Sequence, residues 1–297
     1  MRWPAPAAPR CSRMADHFVT IASGRYQRGS DRHYPEERPA VTMRLPGFAL
    51  AVTPVSNADF ARFVSATGHV TQAESAGRPG SAVFLPTDGP VDLTTPCWWH
   101  FVDGACWHAP EGPGSSINHR QDHPVVHVAQ ADAQAYARWA DARLPSEAEW
   151  EAGARAGLAD ADYAWGDELM PDGRLMANIW TGSFPWYFAR GARAGTSAIG
   201  SFPAIGNGLY DMIGNVWEWT STPARPGATP ERGCCAPDAG DAGDAGDDRL
   251  IITKGGSFLC AAEYCQRYRP AARIAVTASM TSAHIGFRLA RDGQPGD

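Results

Sequence analysis

Two cysteines five positions apart, Cys260 and Cys265, lie in the stretch KGGSFLCAAEYCQRYRPAAR. Two thiolates on one loop can close a disulfide or hold a soft monovalent metal such as Cu(I). Arg267, Arg269 and Arg273 follow closely, and positive charge favours thiolate over thiol. Zinc would need further ligands, and no second matched cysteine pair supplies them. By spacing alone, two unreactive cysteines remain the plainer reading. A second cluster is rich in oxygen: Asp211, Gly214, Val216 and Glu218. Two carboxylates with a glycine between them could share a calcium ion with backbone carbonyls. An ordinary turn among buried aromatic residues accounts for the same spacing equally well.

Other chemistry finds less support. His119, His123 and His127 recur every four residues, which on a helix would align them for a metal. Pro124 forbids that helix, so structural or surface histidines are the reading. No His-Glu-x-x-His, Gly-x-Ser-x-Gly, P-loop or dinucleotide fingerprint occurs. The seven cysteines (11, 97, 106, 234, 235, 260 and 265) cannot all pair within the chain, and they do not form the dense framework of a small secreted domain. A net charge of −6 disfavours nucleic acid and an anionic membrane surface as partners. No apolar run is long enough to span a bilayer.

The elements that must position these residues are few. The chain has 297 residues, with 31 glycines and 24 prolines spread without a period, which predicts a loop-rich fold rather than a bundle or solenoid. Residues 17–28 read as a strand, a glycine turn and a strand, and 41–52 as a strand pair broken at Pro46–Gly47. Ser56 caps a helix that Gly68 closes, with Phe60, Phe63, Val64 and Thr67 on one face. From Thr71 to His119 the chain reads as irregular. PVVHV (124–128) reads as a short strand and 132–140 as a helix. Ser146-x-x-Glu149 is a capping box for a helix running to about Arg155. Ile251–Lys254 reads as a strand. Residues 1–16 read as a disordered tail or an over-called start, with Met14 as the first residue. With no apolar signal core, the cytoplasm is the expected compartment. The acidic stretch 236–248 reads as a solvated mobile loop. One domain, 17–292, is expected.

Several stretches together resemble the formylglycine-generating enzyme, or sulfatase-modifying factor, family, most closely its bacterial and mycobacterial-type members. They are HPVVHVAQADAQAYARWADARLPSEAEWE (123–151), ANIWTGSFP (177–185), GNGLYDMIGNVWEW (206–219), GGSFLCAAEYCQRYRPAAR (255–273) and HIGFR (284–288). The N-terminal YQRGSDRHYPEERPAV and PVSNADFARFV are similar too, so the resemblance runs from about residue 17 to 290. It implies a single α+β domain, C-type-lectin-like, loop-rich and poor in regular structure. It also implies a copper-dependent oxidase that uses O2 to convert a cysteine in a C-x-P-x-R motif of a sulfatase polypeptide to Cα-formylglycine. A hydrogen leaves the substrate Cβ, and the resulting thioaldehyde hydrolyses to the aldehyde.

On this resemblance Cys260 and Cys265 hold Cu(I), and Ser257 helps to shape the oxygen site. Tyr264 lies in the substrate groove. Asp211, Gly214, Val216 and Glu218 match a structural Ca2+ site, the second and third through carbonyls. Asn178 and Ile179 match half of another, whose remaining ligands are missing from FARGARAGT, where arginine contacts could replace them. Other departures are Ala261, where many members have His, and His284, where Asn is common, both close to the expected site. Ala137, Ala154, Pro270 and Leu289 stand where vertebrate members have disulfide cysteines, which fits a reducing compartment. Cys234–Cys235 resembles mycobacterial-type members and is assigned no catalytic role. Two alternatives belong to the same superfamily. An iron-dependent sulfoxide synthase would carry an N-terminal His-rich helical domain, which is not found in this sequence. A non-catalytic sulfatase-binding paralogue would typically lack the thiol pair.

Overall fold

The computed structural model describes residues 17–158, 160–191, 193–229 and 249–293. The expected tail at 1–16, Cys234–Cys235 and the acidic stretch 236–248 lie outside the described residues. The first strands are β1 (Phe18–Ile21), β2 (Gly24–Arg28), β3 (Val41–Leu45) and β4 (Phe48–Ala51). Strands β3 and β4 flank Pro46–Gly47 as the pattern indicates, but they join different sheets: β3 pairs with β2, and β4 pairs with β1. β4 also pairs with the last strand, β11 (Ala290–Asp292), so both ends of the domain meet in one antiparallel sheet.

Helix α1 (Asn57–Thr67) starts where Ser56 Oγ accepts the Asp59 N–H at 3.1 Å. It ends at Gly68, whose φ of +69° suits a residue without Cβ. Phe60 and Phe63 are buried and Val64 half-buried, while Thr67, expected on the same face, is exposed at the helix end. Phe60 packs on Trp107, Tyr136 and Phe287, so the helix is fixed by aromatic contacts from three distant segments.

The stretch Thr71–His119 is more ordered than its sequence indicates. It holds a short helix α2 (Gln72–Ser75) and a hairpin of β5 (Gly80–Phe84) and β6 (Trp99–Asp103), in register from Gly80↔Asp103 to Phe84↔Trp99. PVVHV forms no strand: only Pro124 bridges to Ser56, and His127 sits at φ 61°, outside the extended region.

Helices α3 (Gln130–Trp139) and α4 (Glu147–Arg155) follow. The capping box of α4 is present: Ser146 N–H donates to Glu149 Oε2 at 2.8 Å and Glu149 N–H to Ser146 Oγ at 3.3 Å. Four strands then build the central sheet: β7 (Trp217–Pro223), β8 (Leu250–Lys254), β9 (Arg273–Thr277) and β10 (Ile285–Gly286). Their order is β10-β7-β8-β9, with β10 parallel to β7 and the other pairs antiparallel. α4 packs between this sheet and β4, and Gly153 lets it approach. A Cβ there would meet Leu50 Cδ1 at 2.3 Å. Trp150, Trp217, Trp219, Leu209 and Met212 are wholly buried in this core. Each large apolar side chain so buried contributes about 1.5–3 kcal/mol.

Candidate active site

The thiol pair lies on the connection between β8 and β9, whose last paired residues are Lys254 and Arg273. Two glycines open it, Gly255 at φ 98° and Gly256 at φ 74°. A Cβ on Gly256 would lie 2.6 Å from the Arg267 carbonyl oxygen, so the double glycine lets the outgoing and returning chains touch. The loop is held from inside: Phe258 N–H donates to Asn215 O at 3.1 Å and Trp180 N–H to Cys260 O at 3.0 Å. Cys265 N–H donates to Ala261 O at 2.9 Å. These bonds bring Cys260 Sγ and Cys265 Sγ to 3.5 Å, both almost completely buried. That separation is well beyond a disulfide bond of about 2.05 Å.

Ser257 joins the pair as expected. Its N–H donates to Cys260 Sγ at 3.5 Å, and its hydroxyl contacts His284 Nδ1 at 3.0 Å. His284 is wholly buried, with its ring edge-on to Trp99 at 4.8 Å. Behind it, His127 Nδ1 bonds Ser81 Oγ at 2.7 Å, and burial pushes the His127 pKa down to about 3. This second imidazole is therefore neutral, and its contact with β5 fixes the wall on which His284 rests.

Tyr264 stacks on Phe184 with ring centres 4.9 Å apart and meets Trp98 edge-on at 5.2 Å. Around it Phe84, Trp98, Trp180, Phe184, Phe258 and Leu259 form a separate buried aromatic cluster. Ala261 lies inside this cluster, where a longer side chain would have to displace aromatic rings. Trp186 and Tyr187, just beyond Phe184, are exposed. Exposed aromatic surface thus follows directly along the chain from this buried cluster.

The three arginines divide their work. Arg267 Nη1 reaches Cys265 Sγ at 3.8 Å, while its Nη2 donates to Glu36 Oε1 at 2.7 Å and the guanidinium covers the Tyr34 ring at 4.2 Å. Arg269 pairs with buried Glu37, and Arg273 Nε with Glu147 at 3.0 Å. Arg267 alone of the three therefore brings positive charge against a sulfur. Tyr34, Glu36 and Glu37 enter the sequence reading only within YQRGSDRHYPEERPAV, with no role of their own. Their signal is the alternation of three arginines at 267–273, which cannot be buried without acid partners.

The two oxygen clusters differ. Glu218 receives Arg288 Nε at 2.6 Å and Trp150 Nε1 at 2.7 Å on one oxygen, and Arg288 Nη2 at 2.8 Å on the other. Asp211 Oδ2 accepts the Gly200 N–H at 2.8 Å, and burial pushes its pKa up to about 6. The Arg288 guanidinium thus pairs with Glu218, and of Asp211 it reaches the backbone carbonyl, at 3.2 Å. The Asp211 carboxylate and the Gly214 and Val216 carbonyls are donors of the kind Ca2+ takes, and Glu218 can join them only by giving up a bond to Arg288. At the other cluster Arg190 Nη2 donates both to Asn178 Oδ1 and to Ile179 O, the latter at 2.9 Å. Those two oxygens are already served by a fixed cation, so that cluster does not fit a metal ion.

The model of the sulfatase-modifying factor enzyme 1-like domain matches residues 4–293 of the chain. The protein belongs to the sulfatase-modifying factor family. A formylglycine-generating enzyme of Mycobacterium tuberculosis is 50% identical over 299 positions, covering 94% of this chain and 99% of the relative. One from Thermomonospora curvata is 45% identical over 301 positions, covering 94% of each. The solved structure of PvdO from Pseudomonas aeruginosa has the same fold, at a TM-score of 0.60 and 23% identity, covering 93% of this chain and 94% of that one. The chain is a single α+β domain of the C-type-lectin-like class, with few helices and mostly short strands and loops. No helix among the described residues is long and apolar enough to cross a membrane.

Proposed function

We propose that the protein is a formylglycine-generating oxidase that converts a cysteine in a C-x-P-x-R motif of sulfatase polypeptides to Cα-formylglycine, using O2 and Cu(I). The observation that carries this reading is the pair of buried thiols 3.5 Å apart. A dithiol pocket of that kind matches a soft monovalent ion in charge and softness. Similarity to formylglycine-generating enzymes along almost the whole chain supports the substrate class.

Cu(I) bound by Cys260 and Cys265 would supply the electron transfer to O2. The chain's own residues do the rest. Arg267 stabilises thiolate at Cys265. The Ser257 hydroxyl and His284 Nδ1 can pass a proton between them beside Cys260. The Tyr264–Phe184 stack offers a flat apolar face to an entering peptide and keeps water from the reacting Cβ. Asp211, Gly214, Val216 and Glu218 would hold a structural Ca2+ ion where the chain enters β7. A cytoplasmic setting agrees with Ala137, Ala154, Pro270 and Leu289 in place of disulfide cysteines.

The test is mass spectrometry of a synthetic C-x-P-x-R peptide incubated with Cu(I)-loaded protein in air and under argon. Loss of the cysteine sulfur and gain of a hydrazine-trappable aldehyde, in air only, is the expected result. An unchanged peptide with copper demonstrably bound would overturn the oxidase reading in favour of a non-catalytic sulfatase-binding protein.

A further inference from the structure

A third thiol lies in a different setting. Beyond β6 the chain makes a tight turn, with Cys106 N–H donating to Ala109 O at 3.2 Å and Ala109 N–H to Cys106 O at 3.1 Å. The turn points Cys106 inward, against Ala73 of α2 and Ala109. The backbone N–H groups of His108 and Ala109 lie close to its sulfur, which favours thiolate. Burial opposes this and pushes the thiol up, as does the nearby Glu74 carboxylate.

Glu74 comes from α2. One of its oxygens, Oε2, is committed to the helix start, accepting the Thr71 N–H at 3.0 Å and the Thr71 hydroxyl at 2.6 Å. The other, Oε1, faces His108 Nε2 at 3.3 Å. Carboxylate, thiol and imidazole atoms all lie within 4.8 Å of one another. This is the one group of three or more such side chains close enough to share an ion among the described residues.

We propose that Glu74, Cys106 and His108 form a binding site for a borderline divalent cation of the zinc class, which staples α2 to the turn after β6. One sulfur, one imidazole nitrogen and one carboxylate oxygen are a zinc ligand set. Bond lengths of about 2.0–2.3 Å put tetrahedral ligand atoms about 3.3–3.6 Å apart, which the Glu74–His108 pair already meets and the sulfur reaches by a small closure. A divalent ion would cancel the thiolate and carboxylate charges, whose proximity is otherwise unfavourable. His108 is exposed, so water can take the fourth position. The staple would brace the β5–β6 hairpin, which carries Phe84 and Trp99 to the aromatic wall. The site stands on its own ligands and does not depend on the oxidase reading.

Cobalt(II) tests it, because a thiolate ligand gives a near-ultraviolet charge-transfer band. The full chain carrying Cys260→Ser and Cys265→Ser removes competition from the thiol pair. The expected result is one equivalent of Co2+ bound with that band, displaced by Zn2+ and lost in an added Cys106→Ala. Added His108→Ala, a change at an exposed position, should weaken binding tenfold or more while circular dichroism stays that of the parent. Should Cys106→Ala fail to fold, His108→Ala and Glu74→Gln carry the test. Absence of the band, or a band and affinity indifferent to these substitutions, would overturn the site.

Discussion

Cys260–Cys265 and Cys106 are both buried thiol sites in tight loops, and they differ in what shares the loop. The first couples sulfur to sulfur, with an arginine against one of them. The second couples sulfur to a carboxylate and an imidazole. Softness and charge of the donors therefore assign different metals to the two, a soft monovalent ion to the pair and a borderline divalent ion to the mixed set. They also differ in support. The 255–272 loop is pinned by buried ion pairs reaching from Glu36 and Glu37, whereas the Cys106 turn rests on α2, a helix of a single turn.

The largest effect that can break this comparison is on copper. Cys260→Ser or Cys265→Ser should each abolish tight one-to-one Cu(I) binding in a competition titration, and Cys106→Ala should leave that stoichiometry unchanged. Copper lost in Cys106→Ala instead would merge the two sites. Next comes the support. Arg269→Ala strands Glu37 in the core and should lower unfolding free energy by about 3–5 kcal/mol in urea. Glu74→Ala, which removes one helix-start acceptor, should cost only about 1 kcal/mol. Equal losses would refute the difference in anchoring.

The oxygen clusters sharpen the same lesson. Calcium at a hundredfold above its dissociation constant should stabilise the protein by about 2.7 kcal/mol, read as a rise in Tm. Asp211→Asn should remove that response. Arg190→Ala should lower Tm while leaving the response in place, because Arg190 already occupies its own oxygens. A calcium response that disappears in Arg190→Ala would show the wrong cluster had been chosen.

Near neutral pH the smallest effect concerns His127, which joins β5 to the His284 side of the site. Its folded pKa of about 3 lies below the unfolded value near 6.5. The unfolded chain therefore binds the extra proton between those values. Stability from this group is complete above pH 6.5 and is lost as pH falls toward 3, by up to about 1.4 kcal/mol per pH unit. Subtracting the profile of His127→Gln from that of the parent isolates this slope. A difference profile flat from pH 6.5 to 4 would mean that His127 is protonated in the fold.

Local signals made part of this legible from sequence. Ser56, Gly68 and the Ser146–Glu149 box delimit α1 and α4 because caps act within a few residues. The spacing of Cys260 and Cys265 alone read as two unreactive cysteines, and the resemblance of the whole 255–273 segment drew them and Ser257 into one site. β5 and β6 were not, because their pairing spans a Pro- and Trp-rich connection with no alternating pattern. PVVHV has strand composition, yet the turn at His127 and the fixed bridge of Pro124 to Ser56 prevail over it. Arg190 beside Asn178, Glu37 beneath Arg269 and Glu74 beside Cys106 are pairings across the chain. Sequence spacing carries no record of them.

The decisive measurement is conversion of the C-x-P-x-R peptide to trapped aldehyde, by mass spectrometry in air, for Cu(I)-supplied parent, Cys260→Ser, Cys265→Ser and the exposed-thiol control Cys97→Ser. Conversion by the parent and by Cys97→Ser, and none by either loop variant with circular dichroism unchanged, is the expected result. Conversion retained in both loop variants would contradict the assignment of the buried thiol pair as the copper-holding centre.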